Sequence, residues 1–364
     1  MQTAKRSGIR YLPEVDGLRC VAISLVLLWH WGPTALTHVA QWGQIGVRLF
    51  FVISGFLITG ILLRAKSSGF SPGVSLQNFY GRRFLRIFPP YYAVLVISVA
   101  IHIPGIRNSG IWHAAYLSNF YFAYRNDWTK LAPLWSLAVE EQFYLLWPWI
   151  VFFISEQWLK RLSWIMLITG VASPIGIRHF THHVIAATVL LPSCVDSLGT
   201  GALLAIYGSD FTRFVKPFLV VGGLLFAATC ADYMRRGLST FVIGFNDLGV
   251  AMLSVCVLWA IVVGRTGIFG VLLRSRPVVG IGMISYGIYL YHPLAEYLFE
   301  NPILRPTISL MAAGLSWFAL ERPILRLKRY FPNLPPSSNP VCRASIGKIE
   351  RALNSTDRER SIVD

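Results

Sequence analysis

Runs of mostly apolar residues recur along almost the whole chain, separated by short polar or basic stretches. A helix that crosses a bilayer needs roughly 20 such residues. Windows of that length begin near Leu18, Gly43, Phe84, Phe143, Leu162, Val184, Phe214, Asp247, Val278 and Ile303. The pattern predicts an all-α integral membrane protein, a bundle of about ten transmembrane helices with little chain left for a soluble domain. The first run follows Lys5, Arg6 and Arg10 in the manner of a signal peptide. Several equally apolar runs succeed it and no small-residue cleavage site stands out, so it is read as a span.

Charge adds an orientation, because basic residues near spans tend to stay in the cytoplasm. Arg64, Lys66, Arg82, Arg83 and Arg86 lie between the second and third windows, Lys160 and Arg161 precede the fifth, and Arg213 and Lys216 flank the start of the seventh. Arg265, Arg274 and Arg276 precede the ninth, and Arg322, Arg326, Lys328 and Arg329 follow the tenth. Alternate connections are thus basic, which predicts that both termini are cytoplasmic. A transmembrane domain over residues 1–330 is expected, followed by a polar cytoplasmic tail, 331–364, that turns Pro- and Ser-rich and then charged and reads as flexible.

Composition agrees: of 364 residues, 54% are hydrophobic and 14% charged, with a mean hydropathy of +0.54. The formal charge of +16 points to an anionic leaflet or an anionic cytoplasmic ligand rather than nucleic acid, for which no motif is present. Cys20, Cys194, Cys230, Cys256 and Cys342 show neither metal-ligand nor paired spacing, and no metal is expected.

Ionisable side chains inside spans are costly, so each is a candidate for function unless it reaches the interface or pairs. Arg19 and His30 are eleven residues apart in the first window, three turns and about 16 Å along one helix face. Snorkelling is the bland account of Arg19, and a satisfied structural histidine that of His30. In "FYGRRFLRIFPPYY", Arg83 and Arg86 are three apart, neighbours on a helix that the Pro-Pro pair should limit. They read either as topological charge or as a clamp for phosphates.

"PLWSLAVEEQFYLLWP" sets Glu140 and Glu141 ahead of an apolar helix, as first-turn carboxylates or as groups that orient an imidazole or an acceptor hydroxyl. Ser285, Tyr289 and His292 in "GMISYGIYLYHPLAEYLF" share one face, as an interhelical hydrogen-bonding strip or part of a site. Ser54 in "FFVISGF" reads chiefly as packing beside a glycine, whereas Asp196 in "LPSCVDSLGTG" needs a partner.

Taken in order, "VDGLR", the Arg19 to His30 spacing, "GVRLFFVISGF", "RRFLRIFPPYY", "LWSLAVEEQFYLLWP" and "ISYGIYLYHP" closely resemble the acyltransferase-3 family of integral membrane O-acyltransferases, over roughly Tyr11 to Lys328. The resemblance implies a ten-span protein that moves acetyl or another short acyl group from cytoplasmic acetyl-CoA or another acyl-CoA to a hydroxyl, chiefly of sugars, beyond the cytoplasmic face. Carried over by motif, it implies a catalytic set of His30, Glu140 and Arg19, with Arg19, Arg83 and Arg86 holding the CoA phosphates. It places Ser285 and Tyr289 in the family's late helical motif, while Glu141, His292 and Asp196 stand as supporting groups. His30 acts as general base or as acyl carrier, with Glu140 holding the imidazole or the acceptor.

The implied partners are acyl-CoA, membrane lipid and a carbohydrate acceptor, lipid-linked or not, in a bacterial cytoplasmic (inner) membrane, together with envelope-polysaccharide biosynthesis proteins. O-antigen, exopolysaccharide and other cell-envelope glycans all fit. Two rivals predict different behaviour. A transporter or flippase of a lipid-linked glycan would need no CoA, and a scaffold would use His30 and Glu140 structurally.

Overall fold

The computed structural model describes residues 11–67, 71–301 and 304–332. The cytoplasmic tail expected from 331 onward falls almost wholly outside them. Among the described residues there are helices and no strand. The first four are α1 (Pro13–Trp31), α2 (Thr34–Thr37), α3 (Trp42–Lys66) and α4 (Pro72–Ala100). Two short helices follow, α5 (Ile106–Ala114) and α6 (Ser118–Arg125), then α7 (Trp135–Phe153), α8 (Glu156–Thr181) and α9 (Val184–Val189). The remainder comprises α10 (Val195–Tyr207), α11 (Thr212–Arg236), α12 (Thr240–Val262), α13 (Gly267–Leu273), α14 (Arg276–Met283), α15 (Ser285–Leu298), α16 (Leu304–Ser316) and α17 (Arg322–Leu325).

Local signals account for many boundaries. Pro13 and Pro72 open α1 and α4 at a position where the missing N–H costs nothing. Ser71 and Ser239 cap α4 and α12 by accepting from the backbone N–H groups of Val74 and Val242. α4 runs straight through Pro89 and Pro90, where the sequence suggested a limit. The window beginning near Val184 is not one helix. It is α9, a 3₁₀ turn at Leu191–Ser193 around Pro192, and then α10.

By length and apolar composition, α3, α4, the stretch Val195–Arg236, α12 and the stretch Leu304–Tyr330 can each cross a membrane. Gly208, at φ +56°, breaks the third of these into α10 and α11. A sixth span arises if α14 and α15, bent by 68° at Ile284, are taken as one. Large apolar side chains stand exposed on the outside of α4, α7, α8, α11 and α16, among them Val96, Leu145, Ile168, Leu224 and Leu315. Lipid is the solvent that suits such a surface, and the molecule is an integral membrane protein.

α3 is the hub, packing on α1, α4, α7, α10 and α12. It contributes to two adjoining apolar cores, one shared with α4, α7 and α15 and the other with α10, α11 and α12. Backbones touch where α3 meets α10. A Cβ added to Gly55 would lie 2.0 Å from the Leu198 carbonyl oxygen, and one on Gly201 would lie 2.1 Å from that of Val52, the close approach that small residues permit between membrane helices.

The same three-helix junction holds a buried ionic centre. The Arg48 guanidinium of α3, fully buried, pairs with Asp247 of α12 and lies 3.7 Å from Asp196 Oδ1 of α10. It also donates to the Ser193 carbonyl, at 3.2 Å. Asp196 Oδ1 accepts from the Ser197 backbone N–H and hydroxyl, and Gln44 Nε2 donates to Asp247. The partner that Asp196 requires is therefore Arg48, a residue embedded in an apolar run.

The connection between α4 and α7 folds as α5 and α6, packed against α4, α7 and α9. His113 of α5 is fully buried with neither ring nitrogen hydrogen-bonded, and burial pushes its pKa down to about 4. The unfolded chain, with an ordinary histidine near 6.5, takes up a proton in the window between those values where the folded chain does not. Stability from this group is complete above pH 6.5 and falls as the pH drops toward 4, by about 3 kcal/mol at most. His113→Phe should flatten that limb of the melting temperature against pH in purified protein. An unchanged slope would show that other groups set it.

Candidate active site

Two neighbouring cavities open between α1, α3, α4, α7 and α15, and Val47 and Tyr289 line both. The smaller, about 90 Å³, gathers the guanidiniums of Arg19, Arg83 and Arg86 with the carboxylates of Glu140 and Glu141. Arg19 comes from the first half of α1, where its Nη1 is fixed 2.6 Å from Asp16 Oδ1. Arg83 and Arg86 project from one face of α4. The Arg83 guanidinium lies over the Tyr144 ring at 5.0 Å, a stacking suited to its flat ion. Arg82 turns elsewhere, donating to the Phe331 carbonyl at 3.0 Å. Of these three cations, then, one is tied to the backbone at Phe331 and two face the cavity.

On the opposite wall, α7 presents both acidic side chains. Glu140 Oε1 accepts from the Ser54 hydroxyl at 2.6 Å, and Tyr144 donates to the same Ser54 oxygen at 3.1 Å. Ser54, read from the sequence as packing, is thus the hydrogen-bonded link between α3 and α7. Glu141 Oε1 is buried with no hydrogen-bond partner. Ser285 and Tyr289 reach this cavity from α15. The Tyr289 hydroxyl sits 2.7 Å from Ser136 Oγ and donates to the Pro133 carbonyl at 2.8 Å.

His30 lies in the other cavity, of about 360 Å³, with Trp29, Gln41, Gln44, Trp128 and Trp135. Its Nδ1 is 3.3 Å from Glu296 Oε2, and its ring meets that of His292 edge-on at 4.9 Å. His292 is itself buried, with Nδ1 held by the Tyr289 carbonyl at 2.7 Å. An imidazole whose Nδ1–H points at a carboxylate has its Nε2 lone pair free to accept a proton. The carboxylate at the imidazole is Glu296, on the same face as His292 and one turn beyond it. Glu140, which the resemblance gave as holding the imidazole or the acceptor, lies in the cavity of the arginines.

Of the residues singled out in the sequence, Arg19, Arg83, Arg86, Glu140, Glu141, Ser285 and Tyr289 line the smaller cavity, His30 lines the next, and His292 packs against His30. Asp196 lines neither and belongs to the ionic centre. Glu296, Arg48, Gln41, Gln44 and Trp128 went unread. A glutamate inside "YLYHPLAEYLF", four residues after His292, was the available signal for Glu296.

The family model described as "Acyltransferase domain" matches residues 12–320. The peptidoglycan O-acetyltransferase OatA of Listeria monocytogenes serovar 1/2a is 30% identical to this chain, over 89% of this chain and 57% of that protein. The putative peptidoglycan O-acetyltransferase YrhL of Bacillus subtilis (strain 168) is 27% identical, over 86% of this chain and 55% of its own length. The O-acetyltransferase OatA of Staphylococcus aureus (strain NCTC 8325 / PS 47) is 28% identical, over 78% of this chain and 50% of its own. The chain thus spans about half the length of the curated relatives it matches. No solved structure matches it. With most of its length covered by the family model, from the arginine and histidine of α1 to the late helical motif of α15, the chain belongs to the acyltransferase-3 family.

Proposed function

We propose that the protein is a membrane-embedded O-acetyltransferase that takes an acetyl group from acetyl-CoA on the cytoplasmic side and delivers it to a hydroxyl of an extracytoplasmic envelope carbohydrate. One observation carries the reading. A cationic cavity and a histidine-bearing cavity lined by tryptophan and amide side chains stand side by side, and Tyr289 belongs to the wall of both. In this reading about ten spans carry the chain through a bacterial inner membrane with both termini in the cytoplasm, an orientation that the alternation of basic connections favours.

Arg83, Arg86 and Arg19 hold the phosphates of the donor, a task for which guanidinium geometry is well matched. The thioester extends toward Tyr289. An acceptor hydroxyl in the second cavity gives its proton to His30 Nε2 as its oxygen bonds to the thioester carbonyl carbon. The carbon–sulfur bond then breaks and the thiolate of CoA leaves, to be reprotonated. Glu296 fixes the imidazole and stabilises the imidazolium as it forms. Glu140 and Glu141 are positioning residues that balance the guanidiniums. His292 and Ser285 support the helix that carries Tyr289.

The test supplies acetyl-CoA, labelled in its acetyl group, to membranes containing the wild-type chain and follows base-labile label in glycan and lipid extracts. Label in an envelope carbohydrate supports the reading. Movement of glycan without label would favour a flippase instead.

Arg86→Ala removes a phosphate contact rather than a proton acceptor, so it should raise the KM for the donor by roughly tenfold and leave kcat within a few-fold. A fall in kcat with the donor KM unchanged would take Arg86 out of donor binding.

A further inference from the structure

The side chain of His30 borders not one large cavity but two. Beyond the cavity of Gln41 and Gln44 lies a third, of about 480 Å³, bounded by Gly105, Thr129, Lys130 and Glu296. His30, Trp128, Ala132 and Pro133 line both, so the two spaces meet at the imidazole like the arms of one cleft. Each arm alone is of a size that takes a drug-sized ligand, about 300–1,000 Å³, and a single sugar ring is smaller than that.

The arms also differ in chemistry. One offers side-chain amides, the Thr188 hydroxyl and the indole of Trp29, which suit neutral hydroxyl-bearing rings. The other offers an ammonium, a hydroxyl and a carboxylate, which suit a more polar unit. Trp128, 44% exposed, stands where they join and presents a broad apolar face with a polar edge. A terminal sugar or a small glycoside presented to His30 would fill one arm and leave the other to water.

Resting on the acetyl-transfer reading, we propose that the acceptor is a chain of sugar units threaded past His30, so that units on both sides of the reacting one are bound and the acetyl group goes to an internal position. The chemistry is that of the transfer already written, with the hydroxyl on an internal ring. The two arms act as binding subsites and set which position along the chain reaches the imidazole.

The experiment has two parts. Native membranes receive labelled acetyl-CoA, and the acetylated envelope glycan is isolated and fragmented in a mass spectrometer to place the acetyl group along the chain. Oligosaccharides prepared from the same glycan and fractionated by length are then compared as acceptors. The proposal expects acetyl groups on internal units and a kcat/KM that rises at least tenfold between one unit and four or more. In Lys130→Met that length preference should shrink several-fold, through KM rather than kcat. Acetyl groups on terminal units only, a labelled lipid-linked monosaccharide as the product, or a kcat/KM indifferent to length would overturn the threaded chain and leave acetyl transfer standing. Absence of label from every extract of native membranes would overturn acetyl transfer itself.

Discussion

His30→Ala should lower the proposed acetyl transfer by about 10²- to 10⁴-fold at matched protein abundance, the range that a positioned general base supplies. The imidazole lines both acceptor arms, its Nδ1 is 3.3 Å from Glu296 Oε2, and the neighbouring His292 is fully buried, with Nδ1 held by the Tyr289 carbonyl. Base-labile label in membranes given labelled acetyl-CoA is the measurement. Equal labelling by wild type and variant, in membranes that hold the native acceptor, would remove His30 from the chemistry. Glu296→Gln keeps the shape and loses the charge. It should cost less than His30→Ala and fall on kcat with the donor KM unchanged, a split that a general loss of folding does not produce.

Arg48→Ala has the other large consequence, on the amount of folded protein. Removing the guanidinium leaves Asp196 and Asp247 facing each other in a buried junction of three helices, with only Ser197, Gln44 and Asn246 to solvate them. Breaking a buried ion pair by deleting one partner costs about 3–5 kcal/mol, comparable with the whole stability of many domains. Thermal unfolding of the detergent-purified protein, with its yield from membranes, reads the effect. Replacing all three residues by apolar ones of similar volume should recover much of the loss, since the cost lies in the uncompensated charges. A single variant as stable as wild type would mean that water reaches the junction.

The two changes separate site from scaffold. On the proposed reading, losing His30 should spare the fold and slow the reaction, whereas losing Arg48 should loosen the junction through which α3 is held to α10 and α12. Both residues are polar groups in apolar runs, and the sequence distinguishes them poorly. His30 is flanked by tryptophans and has Arg19 three turns before it on the same helix face. Arg48 sits among glycine, valine, leucine and phenylalanine, and the two aspartates that neutralise it lie more than a hundred residues away.

What the sequence determined by itself is whatever depends on local composition and spacing. Apolar runs of the right length specify helices in lipid because an unpaired peptide group there is too costly. The three-residue interval of Arg83 and Arg86, the eleven-residue interval of Arg19 and His30, and the stripe of Ser285, Tyr289 and His292 follow from helical periodicity. The motifs also sufficed to reveal the family.

Tertiary structure decided which of these faces meet. That Glu140 turns to the arginines and Glu296 to His30 depends on how α7 and α15 are rotated about α1 and α3. The break at Pro192 and Gly208, the 68° bend at Ile284 and the backbone contact at Gly55 and Gly201 are likewise settled where several helices pack at once. Pairing between charges distant in sequence follows from that packing, so no local pattern encodes it.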